Sequence, residues 1–427
     1  MITFYHTADI HFGVENYGRI DPSTGIHTRL LDFKASLDSC IDSAIHEKID
    51  FFLFSGDAYK TAYPTPTQQR LLMHALFRLQ VANIPVIIIV GNHDHPLSFG
   101  KANALDVFSD LPLPGFHVFS KPGLLHLETK SGPVQIVGIP WPNRHNVIVK
   151  ETHHLKEATE ITCYLSTQIT SIIHTFAGQL NPNIPAVLAA HLTVSNGTFS
   201  GSEKCAIYGS DPIFLASNLA LPQFDYVALG HLHKHQNLNN NGYPSVVYSG
   251  SIDRIDFGER NETKGYCKVI IETNTPPQNK DKHQYTTKGS YEFIPLKTRP
   301  FIQIEAHISP KGNQTEQLLE EIAKYTLSDA IVKIIYHLPS NTKDFIDLRR
   351  IQRACKDALC LVNIIPIHQL QERRTRNFSL SVNMNFSDLV EKYIDSKNDL
   401  KDLKSSLMLK AERIYSETTS IKNSEQT

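Results

Sequence analysis

The sequence predicts an α/β protein built on a layered sheet, and three observations carry that expectation. Short apolar runs of strand length recur through the first two thirds of the chain, amphipathic helix patterns separate several of them, and the runs are continuously apolar rather than alternating. A strand that is apolar at every position is buried on both faces, as in a sheet covered by helices. In chain order the strands fall at Ile2–Tyr5, Phe51–Ser55, Val86–Val90, Gln135–Ile139, Ala186–Ala190, Tyr226–Leu229 and Ser245–Tyr248. The helix patterns are Phe33–His46, Gln68–Gln80 and Leu155–Phe176.

The polar, proline-containing stretch Thr273–Ser290 reads as a surface loop near the end of this first domain. A new pattern begins after Arg299-Pro300. Phe301–Ile308 reads as a strand, Glu316–Tyr325 as a helix, Ala330–Tyr336 as a strand, Phe345–Asp357 as a helix and Leu361–Ile367 as a strand. This βαβαβ string predicts a small second domain. Arg373–Arg376 reads as a basic link. Ser387–Glu417 is helical in pattern, with Leu389, Tyr393, Leu400, Leu403, Leu407 and Ile414 near helical spacing and a break at Asp395–Asn398.

Composition narrows the class. With 427 residues, 41% of them hydrophobic, the chain can bury a large core and has material for more than one domain. Lys+Arg 42 against Asp+Glu 43 leaves a formal charge of −1, which neither announces nor excludes a nucleic-acid partner, because local patches contact phosphates. Cys40, Cys163, Cys205, Cys267, Cys355 and Cys360 are scattered and form no CxxC pair, so neither a zinc knuckle nor a disulfide framework is expected. No basic region followed by an apolar core opens the chain, and no apolar run reaches membrane-spanning length. These features lead us to expect a cytoplasmic protein without a membrane association.

The residues that carry chemistry follow the predicted strands. Asp9-Ile10-His11 comes after the first, Gly56-Asp57 after Phe51–Ser55, and Gly91-Asn92-His93-Asp94 after Val86–Val90. His191 follows Ala186–Ala190, and Gly230-His231-Leu232-His233 follows Tyr226–Leu229. Ligands of open α/β sheets bind outside the carboxyl ends of the strands, so five such motifs would converge. Alternate residues of an extended chain point the same way, so Asp9-x-His11 and His231-x-His233 can each serve one centre. Carboxylates, an amide and imidazoles are the donors of a dinuclear metal site in which one carboxylate bridges. Alone, each motif is more often a turn or a capping pair. All five together, each after a strand, are not so explained. His6, His95 and His235 lie near these motifs and read as neighbours rather than ligands.

This order of motifs resembles the calcineurin-like metallophosphoesterase superfamily. Further features narrow the resemblance to the SbcD family of bacterial break-repair nucleases. They are the opening HTADIHFG, the segment YSGSIDRIDFGE at Tyr248–Glu259 followed by Lys264-Gly265-Tyr266, and Arg299-Pro300-Phe301 leading into the βαβαβ string. It covers about Met1 to Ile367; the loops Thr193–Asp211 and Thr273–Ser290 match no family motif. The resemblance implies a four-layer α/β/β/α sandwich with a small α+β capping domain and a C-terminal helical segment. Its division would be 1–295, 296–372 and 373–427. It assigns one metal to Asp9, His11, Asp57 and His233, and a second to Asp57, Asn92, His191 and His231, with Asp57 bridging. His93 would stand over the scissile phosphate without binding metal, as the catalytic group. Two divalent ions, Mn²⁺ by preference although Fe or Zn also suit the donors, would activate water and clamp phosphoryl oxygens. The implied activity is 3′-to-5′ exonuclease action on double-stranded DNA and endonuclease action on single strands. The implied assembly is a homodimer within a heterotetramer with an SbcC-type ABC ATPase, whose coiled coil would bind the C-terminal helices.

Two rivals remain. One is another enzyme of the superfamily, a protein phosphatase or a phosphodiesterase of small phosphoesters. Gly56-Asp57-Ala58-Tyr59 lacks the Asp-Arg-Gly that marks the Ser/Thr phosphatases, and a small-substrate enzyme has no need of the added βαβαβ unit and helical tail. The other is a non-catalytic scaffold, which has no physical need for intact ligands.

Overall fold

The computed structural model describes residues 1–96, 101–110, 114–142, 158–201, 211–240, 242–273, 287–340, 342–368, 386–395 and 403–424. Two six-stranded sheets dominate. The first contains β1 (Ile2–Thr7), β2 (Phe51–Phe54), β3 (Val86–Ile89), β4 (Phe116–Phe119), β13 (Gly265–Thr273) and β14 (Thr287–Pro295), in the order β14-β13-β1-β2-β3-β4. The second contains β5 (Gly123–Thr129), β6 (Gly132–Ile139), β7 (Ala186–His191), β10 (Tyr226–Gly230), β11 (Gln236–Asn237) and β12 (Ser245–Tyr248), in the order β11-β12-β10-β7-β6-β5. The short β8 (Thr193–Val194) and β9 (Ile213–Phe214) pair with each other.

The alternation of side chains along the strands resolves the layers. In β1 to β3, Tyr5, Phe52, Phe54, Val86 and Ile88 pack in one core with Phe33, Leu37 and Ile41 of α1 (Thr28–Glu47) and Leu72, Ala75 and Leu79 of α2 (Pro66–Val81). Their neighbours Phe4, Phe51, Leu53, Ile87 and Ile89 face the other way, into a core shared with Ile136, Val187, Ala189, Ala228 and Val247 of the second sheet. That sheet's opposite face, through Leu188, Val227 and Leu229, packs on Ile169 and Ile173 of α4 (Ala158–Gln179). The order is therefore helix, sheet, sheet, helix, four layers built because each strand is apolar on both faces. α2 starts where the sequence dictates: Thr65 and Gln68 form a reciprocal capping box and Pro66 opens the helix.

Several elements differ from the sequence expectation. Thr273–Ser290 is not simply a loop. Thr273 ends β13, residues 287–290 open β14, and Thr273 pairs with Thr287 across an antiparallel ladder. β13 in turn pairs antiparallel with β1, so the first sheet gains two strands that the polar appearance of β14 concealed. β4 and β5 also lie outside the predicted set, as do the one-turn helices α3 (Val107–Asp110) and α5 (Ala216–Leu219). The helix expected at Leu155–Phe176 spans Ala158–Gln179. Residues 155–157, the interior of 273–290, residues 202–210 of the Thr193–Asp211 loop, the basic link Arg373–Arg376 and Leu400 lie outside the described residues.

Beyond β14 come β15 (Phe301–His307), β16 (Ile331–Leu338) and β17 (Cys360–His368), a three-stranded sheet in chain order, with α6 (Gln314–Ile322) and α7 (Leu348–Ala354) between them. The chain forms two compact units. One comprises Met1–Glu305, Leu319–Ile335 and Asp347–Ile364; the other comprises Ala306–Leu318, Tyr336–Ile346 and Ile365–Thr427. In the first, Phe301 and Ile331 pack with Phe257, against Tyr17, Leu359 and Val362. Arg299 grips Asp32 with two hydrogen bonds of 2.8 and 2.7 Å. In the second, α8 (Phe386–Asp395) and α9 (Lys404–Ser424) pair, with Phe386 stacked on Tyr415 at 4.3 Å and Lys404 bonded to Asp395. Among the described residues no helix is long and apolar enough to cross a membrane.

Candidate metal centre

The five motifs sit at the carboxyl ends of β1, β2, β3, β7 and β10, three strands of one sheet and two of the other. The turns are stitched together by backbone bonds: Asp9 N–H donates to the Gly56 carbonyl (2.9 Å) and His11 N–H to the Asp57 carbonyl (3.1 Å). Asp9, His11, Asp57 and His231 all have positive φ, at 53, 51, 58 and 104°. Asp and His tolerate that region better than most side chains, and such backbone strain concentrates at functional sites. Two glycines are forced by space. A Cβ on Gly56, whose φ is +98°, would stand 2.2 Å from His191 Nδ1, and one on Gly230 would stand 2.0 Å from the Ser55 carbonyl oxygen. Only hydrogen at these positions lets the strand ends of the two sheets meet.

The structure brings every predicted ligand to this junction. Donor atoms of Asp9, His11 and His233 lie within 4.8 Å of one another, as do those of Asp57, His191 and His231, and those of His11, Asp57 and His93. Asp57 belongs to two of these groups, and its Oδ2 is 3.7 Å from His11 Nε2 and 3.4 Å from His191 Nε2. Asn92 Oδ1 is 3.0 Å from His191 Nε2 and 3.1 Å from His231 Nδ1. His11 Nε2 faces His233 Nε2 at 3.1 Å. The His93 ring stands beside His11 and Asp57, where the sequence places it over the site. It is not buried, and its Nδ1 is fixed by the Lys60 carbonyl at 2.8 Å.

Hydrogen bonding on the far side of the rings settles what faces inward. His191 Nδ1 donates to the Ser55 carbonyl (2.8 Å), so its Nε2 is the nitrogen that can give a lone pair once its proton is displaced. His233 Nδ1 donates to Glu259 Oε1 (2.9 Å), which leaves its Nε2 likewise. His231 Nε2 is buried without a hydrogen-bond partner. Lone pairs, carboxylate oxygens and an amide oxygen thus converge, an arrangement of acceptors that a cation satisfies.

The two buried carboxylates respond in opposite directions. Burial pushes Asp9 up to about 7, with the Asp57 charge adding to it against the pull of His191 and His233. Burial would also raise Asp57, but His191, His93 and His11 together hold it well below the usual carboxylate range. Burial opposes charge on His191, yet Asp57 prevails and raises it to about 9. Burial keeps His11 and His231 well below the ordinary histidine value, so both are neutral imidazoles with pairs to give. A cation between these groups would take the place of the His191 proton.

Three supporting residues escaped the sequence reading. Asp94, fully buried, accepts from the backbone N–H groups of Gly91, Ala58 and Tyr59 and ties two turns together. It was visible within Gly-Asn-His-Asp but had no assigned role. Trp141 lies 4.9 Å from the His231 ring and walls that side of the centre. Glu259 backs His233 from 26 residues away in sequence, and only its position in the Tyr248–Glu259 segment hinted at importance. His6, His95 and His235 fall outside the three groups of donors among the described residues. His6 Nδ1 lies 3.1 Å from Tyr226 Oη, and His235 stacks on Phe293.

Residues 2–235, which end at the last of these motifs, match the calcineurin-like phosphoesterase family. The chain belongs to that family. Solved structures with a similar fold include a dimetal phosphatase from Danio rerio, 11% identical over 69% of this chain and 99% of its own, with a TM-score of 0.41. A purple acid phosphatase from yellow lupin seeds is 11% identical over 67% of this chain and 53% of its own, with a TM-score of 0.37. In this calcineurin-like phosphoesterase, two buried carboxylates, four imidazoles and one amide oxygen fit two divalent cations in donor type and in convergence.

Proposed function

We propose that this metal-dependent phosphoesterase cuts DNA, as an SbcD-type nuclease of the cytoplasm with Mn²⁺ as its preferred ion. The observation that carries the hydrolytic part is Asp57, shared between two groups of donors, with the unburied His93 ring beside it. Two divalent cations held there would act as Lewis acids on the phosphoryl oxygens and lower the pKa of the attacking water. The chain's own residues do the rest. Asp57 and the lone pairs of His11, His191, His231 and His233 fix the charge that receives a phosphate. His93, anchored through Nδ1 to Lys60, keeps Nε2 free to hold a proton for a phosphoryl or leaving oxygen. Support for DNA comes from the segments outside the donor set that resemble SbcD. Glu259 and Lys264 grip His233, and Arg299 and Phe301 are bonded to Asp32 and packed on Phe257.

A second reading, hydrolysis of small phosphoesters, is favoured by a polar cleft of about 570 Å³ whose lining includes Tyr17, Phe199, Lys234 and Arg260. Its walls flank the His233–Glu259 pair in sequence, and its size suits one small molecule. The deciding experiment offers the purified chain, with Mn²⁺ and with or without chelator, linear duplex DNA, single-stranded circles and a small phosphodiester. Chelator-sensitive cleavage of both DNAs is expected. Hydrolysis of the small ester alone would replace the first reading by the second.

The tail extends the proposal to assembly, a homodimer within a heterotetramer with an SbcC-type ATPase. Leu389, Tyr393, Leu409, Ile414 and Tyr415 of α8 and α9 expose 37–72% of their surfaces. Exposed apolar side chains on a paired-helix tail are what a partner helix would cover.

A further inference from the structure

We propose that Glu259 is a positioning residue, which holds the His233 ring in the one tautomer and orientation that present Nε2 to the metal centre. The inference rests on the two-metal reading of that centre and adds to it a residue outside the donor set.

The two oxygens of this carboxylate have separate tasks. Oε2 accepts from the Ile255 N–H (2.9 Å), lies 2.9 Å from Lys264 Nζ and is 3.4 Å from Ser251 Oγ, which closes the 251–264 loop. Oε1 faces His233 Nδ1 at 2.9 Å. A loop-closing carboxylate needs only the first set of bonds. The second is aimed at a ring whose opposite nitrogen lies 3.1 Å from His11 Nε2.

The surroundings explain why the carboxylate can do this. Glu259 is completely buried, and burial alone would favour its neutral acid. The buried Lys264 ammonium at 2.9 Å and the Ile255 N–H at 2.9 Å offset that, so it stays an ionised acceptor with no proton of its own to offer. An ionised carboxylate can only accept, so the proton between it and His233 belongs to Nδ1. Lys264 supplies the matching charge: its Nζ bonds Glu259, Glu262 and the His233 carbonyl, at 2.9, 2.8 and 2.9 Å. Backbone and ring of His233 are thereby held by one ion pair. Such carboxylate–histidine–metal relays fix ring orientation and raise ligand basicity, and their loss typically weakens metal binding about 10–100-fold.

His191 has a different device, a backbone carbonyl at Ser55. Removing the Glu259 carboxylate therefore acts on the Asp9/His11/His233 group and spares the Asp57/His191/His231 group. The test is Glu259→Gln, which keeps the shape and one acceptor oxygen, together with Glu259→Asp, which keeps the charge beside Lys264 but withdraws it from the ring. Two measurements are made on the full chain: Mn²⁺ titration by calorimetry, and the His233 tautomer by nitrogen NMR without metal. The expected result is two Mn²⁺ sites in the parent and a loss of about 10–100-fold at one of them in the variants, with His233 no longer confined to its Nδ1–H form. Either folded variant overturns the inference if both sites keep parental affinity, or if both weaken alike while His233 keeps its tautomer. A parent chain that binds no Mn²⁺ defeats the two-metal reading instead, and the NMR measurement still decides the His233–Glu259 interaction.

Discussion

Replacing Asp57 by Asn tests the centre at its most connected residue. The backbone there has φ of 58°, a region Asn tolerates as well as Asp, and an Asn oxygen can still accept from the His93 N–H that Asp57 Oδ1 binds at 2.9 Å. The fold should therefore survive and only a charge be lost. That charge lies 3.4 Å from His191 Nε2. At an effective dielectric constant of about 20, unit charges so placed attract by about 5 kcal/mol, equivalent to more than three pKa units. His191, held at about 9 by Asp57 against burial, should then titrate below the usual histidine value. A doubly charged ion would lose more than a proton does, so both groups that contain Asp57 should fail to fill. Histidine NMR titration without metal, elemental analysis after Mn²⁺ loading, and hydrolysis of a phosphodiester read the three consequences. A variant that binds two ions with full turnover would falsify the shared role of Asp57, and an unchanged His191 titration would refute the electrostatic reasoning.

Further expectations concern other parts of the chain. His93→Ala should keep both ions and bind DNA but lose cleavage by about 10²–10⁴-fold; near-normal cleavage in a gel assay would remove His93 from the chemistry. His6, fully buried with Nε2 unpartnered, is pushed down to about 3 by burial and by His235. Its folded pKa lies below the unfolded value of about 6.5, so its stabilising effect is complete above that pH and is lost as pH falls toward 3. Between about pH 7 and 5 the parent should lose about 2 kcal/mol more stability than His6→Gln by chemical denaturation, and equal losses would sink the assignment. Deletion of 386–427 should leave folding and Mn²⁺-dependent activity intact and abolish co-purification with an SbcC-type ATPase. A truncated chain that unfolds would show that α8 and α9 pack on their own protein instead.

Much of the centre was legible because many of its donors sit at the ends of apolar strands or within three residues of them. Asp9, Asp57, Asn92, His191 and His231 are each announced by a run such as Phe51–Phe54 or Ala186–His191 that is buried at every position. β14 gave no such signal. Its TKGSYEFIP opens with four residues, TKGS, that are polar or glycine, lies at the sheet edge and follows a charged stretch, so its start resembles loop. Glu259 was illegible for a different reason. Nothing near it in sequence binds metal, and its contact with His233 exists only after the loop closes on Lys264.

The convergence itself was predicted from a rule for one open sheet, yet the strands belong to two. β1, β2 and β3 present Asp9, His11, Asp57, Asn92 and His93; β7 and β10 present His191, His231 and His233. Two of the three donor groups draw on both sets, Asp9 and His11 with His233, and Asp57 with His191 and His231. What joins them is the contact of Gly230 with the Ser55 carbonyl and of Gly56 with the His191 ring, where even a methyl group has no room. The same Ser55 carbonyl accepts from His191 Nδ1, so one backbone atom both limits the approach of the second sheet and orients its ligand. Sequence order could reveal which residues lie at strand ends. That the two stacked sheets close on each other at their carboxyl ends shows in the space that only glycine leaves at Gly56 and Gly230.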